Sequence, residues 1–190
     1  AYHVLPKIAQ RAKVAINWKP VLLGGIFKAT GNASPAMVPA KGQHMGRDIQ
    51  RFCEKYEVDY QHNPYFPINT LQLMRGAISY QQEGNFQDFM RVIFNAMWKE
   101  PKNLGDQTIL ANELDRNGFS SEDFFKRIQA PEVKTGLIQA TESAVKRGLF
   151  GCPATFVDDD MFFGQDRMHF VAEALGVNIC DVFPKFIASP

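Results

Sequence analysis

The sequence predicts an α/β domain interrupted by an all-helical insertion, and three observations carry the prediction. Short runs of β-branched and aromatic residues lie towards each end of the chain, at 14–23 and 154–163. Between them, roughly eighty residues hold a continuous helical apolar period. The chain is 190 residues long, 45% hydrophobic and contains 16 Phe, which gives it the length of one domain and the apolar surface for a large core.

The opening Ala1-Tyr2-His3-Val4-Leu5-Pro6 reads as a helix already under way, without the basic and apolar regions of a secretory leader. Residues 14–23 alternate loosely and predict a strand, short or at an edge because Pro20 has no N–H for a ladder. Residues 24–39, with Gly31-Asn32 and Ser34-Pro35, predict a loop with room for one helical turn, the kind of segment that carries binding residues. A helix is expected from Lys41 to about Tyr56, with Met45, Ile49, Phe52 and Cys53 on one face, and residues 60–69 should be extended.

The middle of the chain is predicted to be wholly helical. Leu71, Met74, Ala77 and Ile78 define one apolar face; Phe86, Phe89, Met90, Ile93, Phe94 and Met97 define the next, after a break at Gly84-Asn85. Asp106 is placed to cap a helix ending at Asn117-Gly118, and Ser120 with Asp123 has the form of a capping box before Phe124, Phe125 and Ile128. Pro131 fits the first turn of a further helix through Val133, Leu137, Ala140, Ala144 and Val145 to Gly148. No heptad or fixed repeat persists. Towards the C-terminus, residues 154–157 and 161–163 predict a hairpin turning through Asp158-Asp159-Asp160. Gly164-Gln165-Asp166 then starts a helix carrying Met168, Phe170, Val171, Ala174 and Leu175, and the tail from Asn178 to Pro190 should wrap on the surface.

Several function classes drop out. With 21 Lys+Arg against 20 Asp+Glu, the net charge of +1 gives no general electrostatic case for nucleic acid or a membrane surface. No apolar run approaches the ~18 residues of a membrane span. Cys53, Cys152 and Cys180 form no Cys-x-x-Cys pair, so reduced cytosolic thiols are expected; Cys53 should be core, and Cys180 is assigned no role. His44, Asp48 and His62 lack metal-ligand spacing, and the three aspartates of the turn lack the loop that a hard cation needs.

The segments 151–157 and 161–167 carry more chemistry. Pro153 opens a strand; with a cis Cys152-Pro153 bond, Cys152 can turn its own N–H and C=O towards an extended ligand peptide. The hairpin leads into a helix whose first N–H groups, near Gln165 and Asp166, suit a carboxylate. Asp166 has two readings, a cap for that helix or a partner for a ligand ammonium, and an ordinary buried hairpin with an N-cap accounts for the same residues.

Three stretches together resemble the thioredoxin-fold branch that contains disulfide oxidoreductases of the DsbA type, kappa-class glutathione transferases and 2-hydroxychromene-2-carboxylate isomerase. They are Gly25-Ile26-Phe27-Lys28-Ala29-Thr30-Gly31-Asn32 with Pro39-Ala40-Lys41-Gly42, Gly148-Leu149-Phe150-Gly151-Cys152-Pro153-Ala154-Thr155, and Phe163-Gly164-Gln165-Asp166-Arg167-Met168. The resemblance runs from Tyr2 to about Gly176. It implies a thioredoxin-like fold with an inserted all-helical subdomain, the thioredoxin-like parts at 1–65 and 149–190 and the insertion at 66–148, with the active cleft between them.

By resemblance the cofactor is glutathione. Cys152 matches the residue that pairs its backbone with the cysteinyl unit, and Pro153 matches the cis-proline after it. Gln165 and Asp166 match the pair holding the γ-glutamyl end, through a backbone N–H to the carboxylate and a carboxylate to the ammonium. Asn32 matches a loop asparagine at the same site. Lys41 and His44, just after that loop, are candidates to meet an anionic substrate. The hydroxyl that activates the glutathione thiol belongs to a Ser-Pro turn expected upstream of Ala1, so no catalytic residue is named within the 190. Cys152 beside that thiol is either inert packing or, with a lowered pKa, a partner for a mixed disulfide.

The first functional expectation is a cytoplasmic, homodimeric, glutathione-dependent isomerase acting on a small aromatic carboxylate or other electrophile. The charge balance, the lack of an apolar span and the lack of metal-ligand spacing lead to the expectation of no nucleic-acid or membrane partner and no metal. A kappa-type transferase is the alternative, and a DsbA-type disulfide exchanger or a non-catalytic peptide-binding module stands third.

Overall fold

The computed structural model describes residues 1–186 and divides the chain into two compact units. The first takes Ala1–Trp18, Ile26–Asp59 and the chain from Gly148 onward; the second takes Lys19–Gly25 and Tyr60–Arg147.

The first unit holds α1 (Leu5–Ala12), most of α2 (Leu23–Thr30) and α3 (Pro39–Tyr56). Helix α1 starts four residues later than the sequence implied. Residues 1–4 form a turn in which Val4 N–H donates to the Ala1 carbonyl at 3.0 Å, and Pro6, which has no N–H to lose, falls in the first helical turn. Helix α2 replaces the first part of the loop expected between residues 24 and 39, and the single helical turn expected there forms at Pro35–Met37. Gly24 and Gly25 cost roughly 1 kcal/mol each relative to Ala, but Leu23, Ile26, Phe27 and Thr30 share one face, and Ile26 is fully buried.

The sheet among the described residues is one antiparallel hairpin, β1 (Ala154–Val157) and β2 (Asp160–Phe163), paired from Ala154↔Phe163 to Val157↔Asp160. Asp160 is therefore a strand residue, and the turn is Asp158-Asp159 alone, with Asp158 at φ 52°. After a 3₁₀ turn at Gln165–Arg167 come α4 (Met168–Ala174) and α5 (Ile179–Val182), taking these labels within this unit. Val4 from the N-terminal turn, Ile8 from α1, Tyr56 from α3, Met168, Val171 and Ala172 from α4, and Val177 and Phe183 form the core. The tail thus does not simply wrap on the surface. Phe183 is buried and meets the Tyr56 ring edge-on at 4.9 Å, because an aromatic side chain gains more from that cluster than from solvent. Residues 187–190 of that expected tail lie outside the described residues.

The second unit is helical: α6 (Leu71–Glu83), α7 (Phe86–Trp98), α8 (Gln107–Arg116), α9 (Ser121–Arg127) and α10 (Pro131–Lys146). Asp106 caps α8 by accepting from Thr108 and Ile109 N–H. Ser120 caps α9 by accepting from Asp123 N–H, but the reciprocal half of the expected capping box does not form, because the Asp123 carboxylate pairs with Arg127 one turn on. Phe89 and Phe124 are fully buried, and Gly76 leaves room for both: a Cβ there would lie 2.5 Å from the Phe124 ring and 2.8 Å from Phe89.

The strand expected at 14–23 does not form. Its last residues belong to the helical unit, where Leu22 packs on the Ile78, Val133 and Leu137 cluster and its N–H donates to Thr141 Oγ1 at 3.0 Å. A hydroxyl on a helix satisfies the donor that a ladder would otherwise have used. Residues 60–69, expected to be extended, hold neither helix nor strand; Gln61 N–H donates to the Trp98 carbonyl, and Phe66-Pro67 is cis.

Candidate functional site

The candidate site is assembled within the first unit from three segments far apart in sequence: 31–33, 150–153 and 163–167. The Cys152-Pro153 bond is cis. Neither the N–H nor the C=O of Cys152 has a hydrogen-bond partner among the described residues, whereas the Pro153 carbonyl accepts from Gly164 N–H at 2.9 Å. That bond extends the hairpin one step past its Ala154↔Phe163 pair and fixes the Gly-x-Asp turn beside the cis-proline.

Gly164 has φ 97° and ψ 156°, a conformation essentially confined to glycine. A Cβ at this position would also collide with Asp166 Oδ1. The glycine therefore lets the Asp166 carboxylate fold back beside the turn, where its Oδ2 accepts from the Arg167 guanidinium. Of the two readings of Asp166, the cap does not form: the 3₁₀ turn has no side-chain cap. The expected helix begins as this short 3₁₀ turn, with the α-helix starting only at Met168. The N–H groups of Gln165 and Asp166 head that turn, ahead of any carbonyl that could serve them within it.

Asn32 donates from Nδ2 to the Phe150 carbonyl at 2.8 Å. The Phe150 and Phe163 rings, both partly exposed, lie 4.4 Å apart. Gly151 sits under them; a Cβ there would be 2.9 Å from Phe163 and 3.9 Å from Asn32 Nδ2. The structure thus joins Asn32, the Cys152-Pro153 loop and the Gln165-Asp166 turn in one connected cluster. Lys41 and His44 are exposed on the first turns of α3, and no hydrogen bond or ion pair among the described residues links them to that cluster.

Electrostatics set limits on the thiols. Cys152 presents surface to solvent, yet the protein packed around its sulfur pushes its pKa up to about 11. The thiolate is scarce at neutral pH, so the lowered pKa on which a mixed disulfide depended is replaced by its opposite. Cys53 is half-buried rather than core, and burial raises its pKa as well. Among the described residues no three His, Cys, Asp or Glu side chains group to hold a metal. Asp48 is engaged by Arg51, and His62 by the Tyr60 hydroxyl.

Residues 1–176 match the family model of the DSBA-like thioredoxin domain. The chain belongs to the DsbA-like thioredoxin family. Within and around that family it is 27% identical to glutathione S-transferase kappa 1 of Rattus norvegicus, covering 92% of this chain and 84% of the relative. It is 29% identical to 2-hydroxychromene-2-carboxylate isomerase of Pseudomonas sp. (strain C18), covering 93% and 83%. A solved structure of 2-hydroxychromene-2-carboxylate isomerase superposes with a TM-score of 0.81 at 22% identity, over 92% of this chain and 86% of the other. That likeness shows that the two share a fold.

In this DsbA-like chain, the residues that a reading for chemistry passed over are Phe150, Phe163, Gly164 and Tyr56. Phe150 and Phe163 stand in the sequence only as members of the matched stretches and the hairpin, and their partial exposure and mutual contact mark them in the structure. Tyr56 is buried, and its hydroxyl has no hydrogen-bond partner among the described residues. Burial first, and then the negative charge of Asp166, push its pKa up to about 12. The Phe-Gly-x-Asp run was the available signal for Gly164; nothing in the sequence links Tyr56 to Asp166.

Proposed function

We propose that this protein is a glutathione-dependent isomerase of the 2-hydroxychromene-2-carboxylate type. The observation that carries the reading is the cluster of complementary groups around the cis-proline: a backbone N–H and C=O at Cys152 and the N–H groups of Gln165 and Asp166, all without partners among the described residues, and the Asp166 carboxylate. Glutathione offers the matching set, an extended cysteinyl backbone joined to an α-carboxylate and an ammonium. In this reading Cys152 and Pro153 align the cysteinyl unit, Gln165 and Asp166 N–H groups receive the carboxylate, and the Asp166 side chain takes the ammonium. Asn32 belongs to the same site.

When bound, glutathione supplies a nucleophilic thiol that adds reversibly to an electrophilic carbon. The chain's own contribution is to hold the tripeptide in register, to exclude Cys152 as a competing nucleophile by keeping it protonated, and to offer Lys41 and His44 as candidates for the carboxylate of an aromatic substrate. Similarity to two named isomerases from Pseudomonas and Sphingobium xenophagum supports the substrate class.

The second reading is a kappa-type transferase, supported by the comparable similarity to the rat enzyme. One assay separates the two. With a hydroxychromene carboxylate and substoichiometric glutathione, an isomerase converts the substrate and leaves glutathione at its starting concentration. Loss of glutathione in step with product favours the transferase, and no turnover of the hydroxychromene carboxylate overturns the isomerase.

A further inference from the structure

Asn32 and Phe150 are 118 residues apart in sequence, yet the Asn32 amide nitrogen donates to the Phe150 carbonyl at 2.8 Å. The other end of the amide is also committed, because Oδ1 accepts from Ala33 N–H at 2.8 Å. These two bonds fix the orientation of the side chain: oxygen towards its own loop, nitrogen towards the segment that precedes the cis-proline. The carbonyl it grips lies two residues before Cys152.

The same segment is held at two further points. The Phe163 ring lies against Phe150, over a glycine at 151 that leaves no space for a side chain. Beyond the proline, Gly164 N–H ties down the Pro153 carbonyl. Among the described residues Cys152 is therefore left without backbone hydrogen bonds of its own, while the backbone on both sides of it is anchored. A backbone edge that must pair with an extended ligand gains affinity from such preorganisation, since less freedom is lost on binding.

We propose that Asn32 is a positioning residue: it holds the Gly151-Cys152 backbone in register through the Phe150 carbonyl, and does so before any ligand arrives. The ligand half of this inference rests on the proposed glutathione site; the brace itself is a property of the protein alone. The brace uses one of the two Nδ2–H groups, so a direct ligand contact through the other would add to it, and the two contributions respond differently to a second substitution on the loop. Loss of one neutral hydrogen bond corresponds to about fivefold in affinity.

The experiment is a double-mutant cycle on the full chain, Asn32→Ala and Gly151→Ala, with glutathione affinity measured by calorimetry and folding checked by thermal melts. In parallel, peptide-resolved alkylation of the ligand-free protein by iodoacetamide compares Cys152 with Cys53 and Cys180. Each single substitution should weaken glutathione, and the double variant should be no weaker than the worse single one, because both act on one loop. Alkylation at Cys152 should accelerate in Asn32→Ala with the other two cysteines unchanged. Asn32→Asp keeps the acceptor for Ala33 but sets a carboxylate oxygen against the Phe150 carbonyl, so it should match or exceed the loss seen with Ala, and it serves if Gly151→Ala does not fold. Multiplying losses in the double variant, wild-type affinity in Asn32→Asp, or unchanged Cys152 alkylation overturns the brace. A wild-type protein that does not bind glutathione, yet shows the Cys152 response, keeps the brace and removes the proposed ligand.

Discussion

Gly164→Ala is the substitution with the clearest physical consequence. At φ 97° and ψ 156°, a residue with a Cβ carries roughly 1–3 kcal/mol of backbone strain. The Cβ would in addition occupy the space of Asp166 Oδ1, so the carboxylate must swing away or the turn must open. For a chain of this size each kcal/mol lowers the melting temperature by roughly 2–4 °C, which places the expected drop at roughly 2–12 °C. Gly84→Ala is the matched control. It also has positive φ, at 85°, but lies in the left-handed helical region with nothing near its missing Cβ, so its cost is about 1 kcal/mol. Differential scanning fluorimetry of the two variants, followed by glutathione titration, reads both consequences. Gly164→Ala should lose stability and glutathione affinity together, and Gly84→Ala should lose only a little stability. A Gly164→Ala protein that melts with the wild type and binds glutathione equally well would refute the account of the turn.

Gly76→Ala should destabilise the helical unit by roughly 1–3 kcal/mol, because the added methyl drives into the Phe89 and Phe124 rings; chemical denaturation measures it, and a neutral result would mean the rings move freely. Tyr56→Phe removes a buried hydroxyl that has no partner, so it should hold or raise stability by about 1 kcal/mol in the same assay, and a loss of that size would mean the hydroxyl is bonded. Tyr56 and Cys152 both have raised pKa values, about 12 and about 11, against ordinary values of 10.0 and 9.0. In the folded protein they keep their protons where the unfolded chain loses them, so stability is full below about pH 9 and falls as pH rises towards 12. Melts across that range should show the decline, and Tyr56→Phe should flatten its upper part.

The helices of the middle were legible because each carries its own apolar period and its own cap: Asp106, Ser120 and Pro131 all stand at helix starts in the structure. The segment 14–23 was misread for the opposite reason. Its alternation describes a half-buried extended chain, but whether a neighbouring strand exists is not written in those residues, and the Leu22 donor is taken by Thr141 from 119 residues away. Helix α2 was missed because Gly24-Gly25 outweighed the face made by Leu23, Ile26 and Phe27 in a local reading, whereas burial of Ile26 decides it in the fold.

Of the candidate site, the cis-proline loop and the Gly-x-Asp turn were legible as motifs, and the fold brings them together. The bracing was not. Asn32 reads in sequence as a loop residue that could touch a ligand, and only the structure reveals the carbonyl it holds. Phe150 and Phe163 are assigned no role from the sequence, and their contact depends on a missing Cβ at Gly151 that no periodicity records.

The central claim is that the Cys152 loop and Asp166 form a glutathione site, and the most direct test is calorimetric titration of glutathione into the wild type and Asp166→Ala. Removing the carboxylate leaves the ligand ammonium without its charged partner, so the account predicts a loss of ~2–3 kcal/mol, roughly 30- to 150-fold in Kd. Equal affinity in the two proteins, both folded by their melting curves, would contradict it.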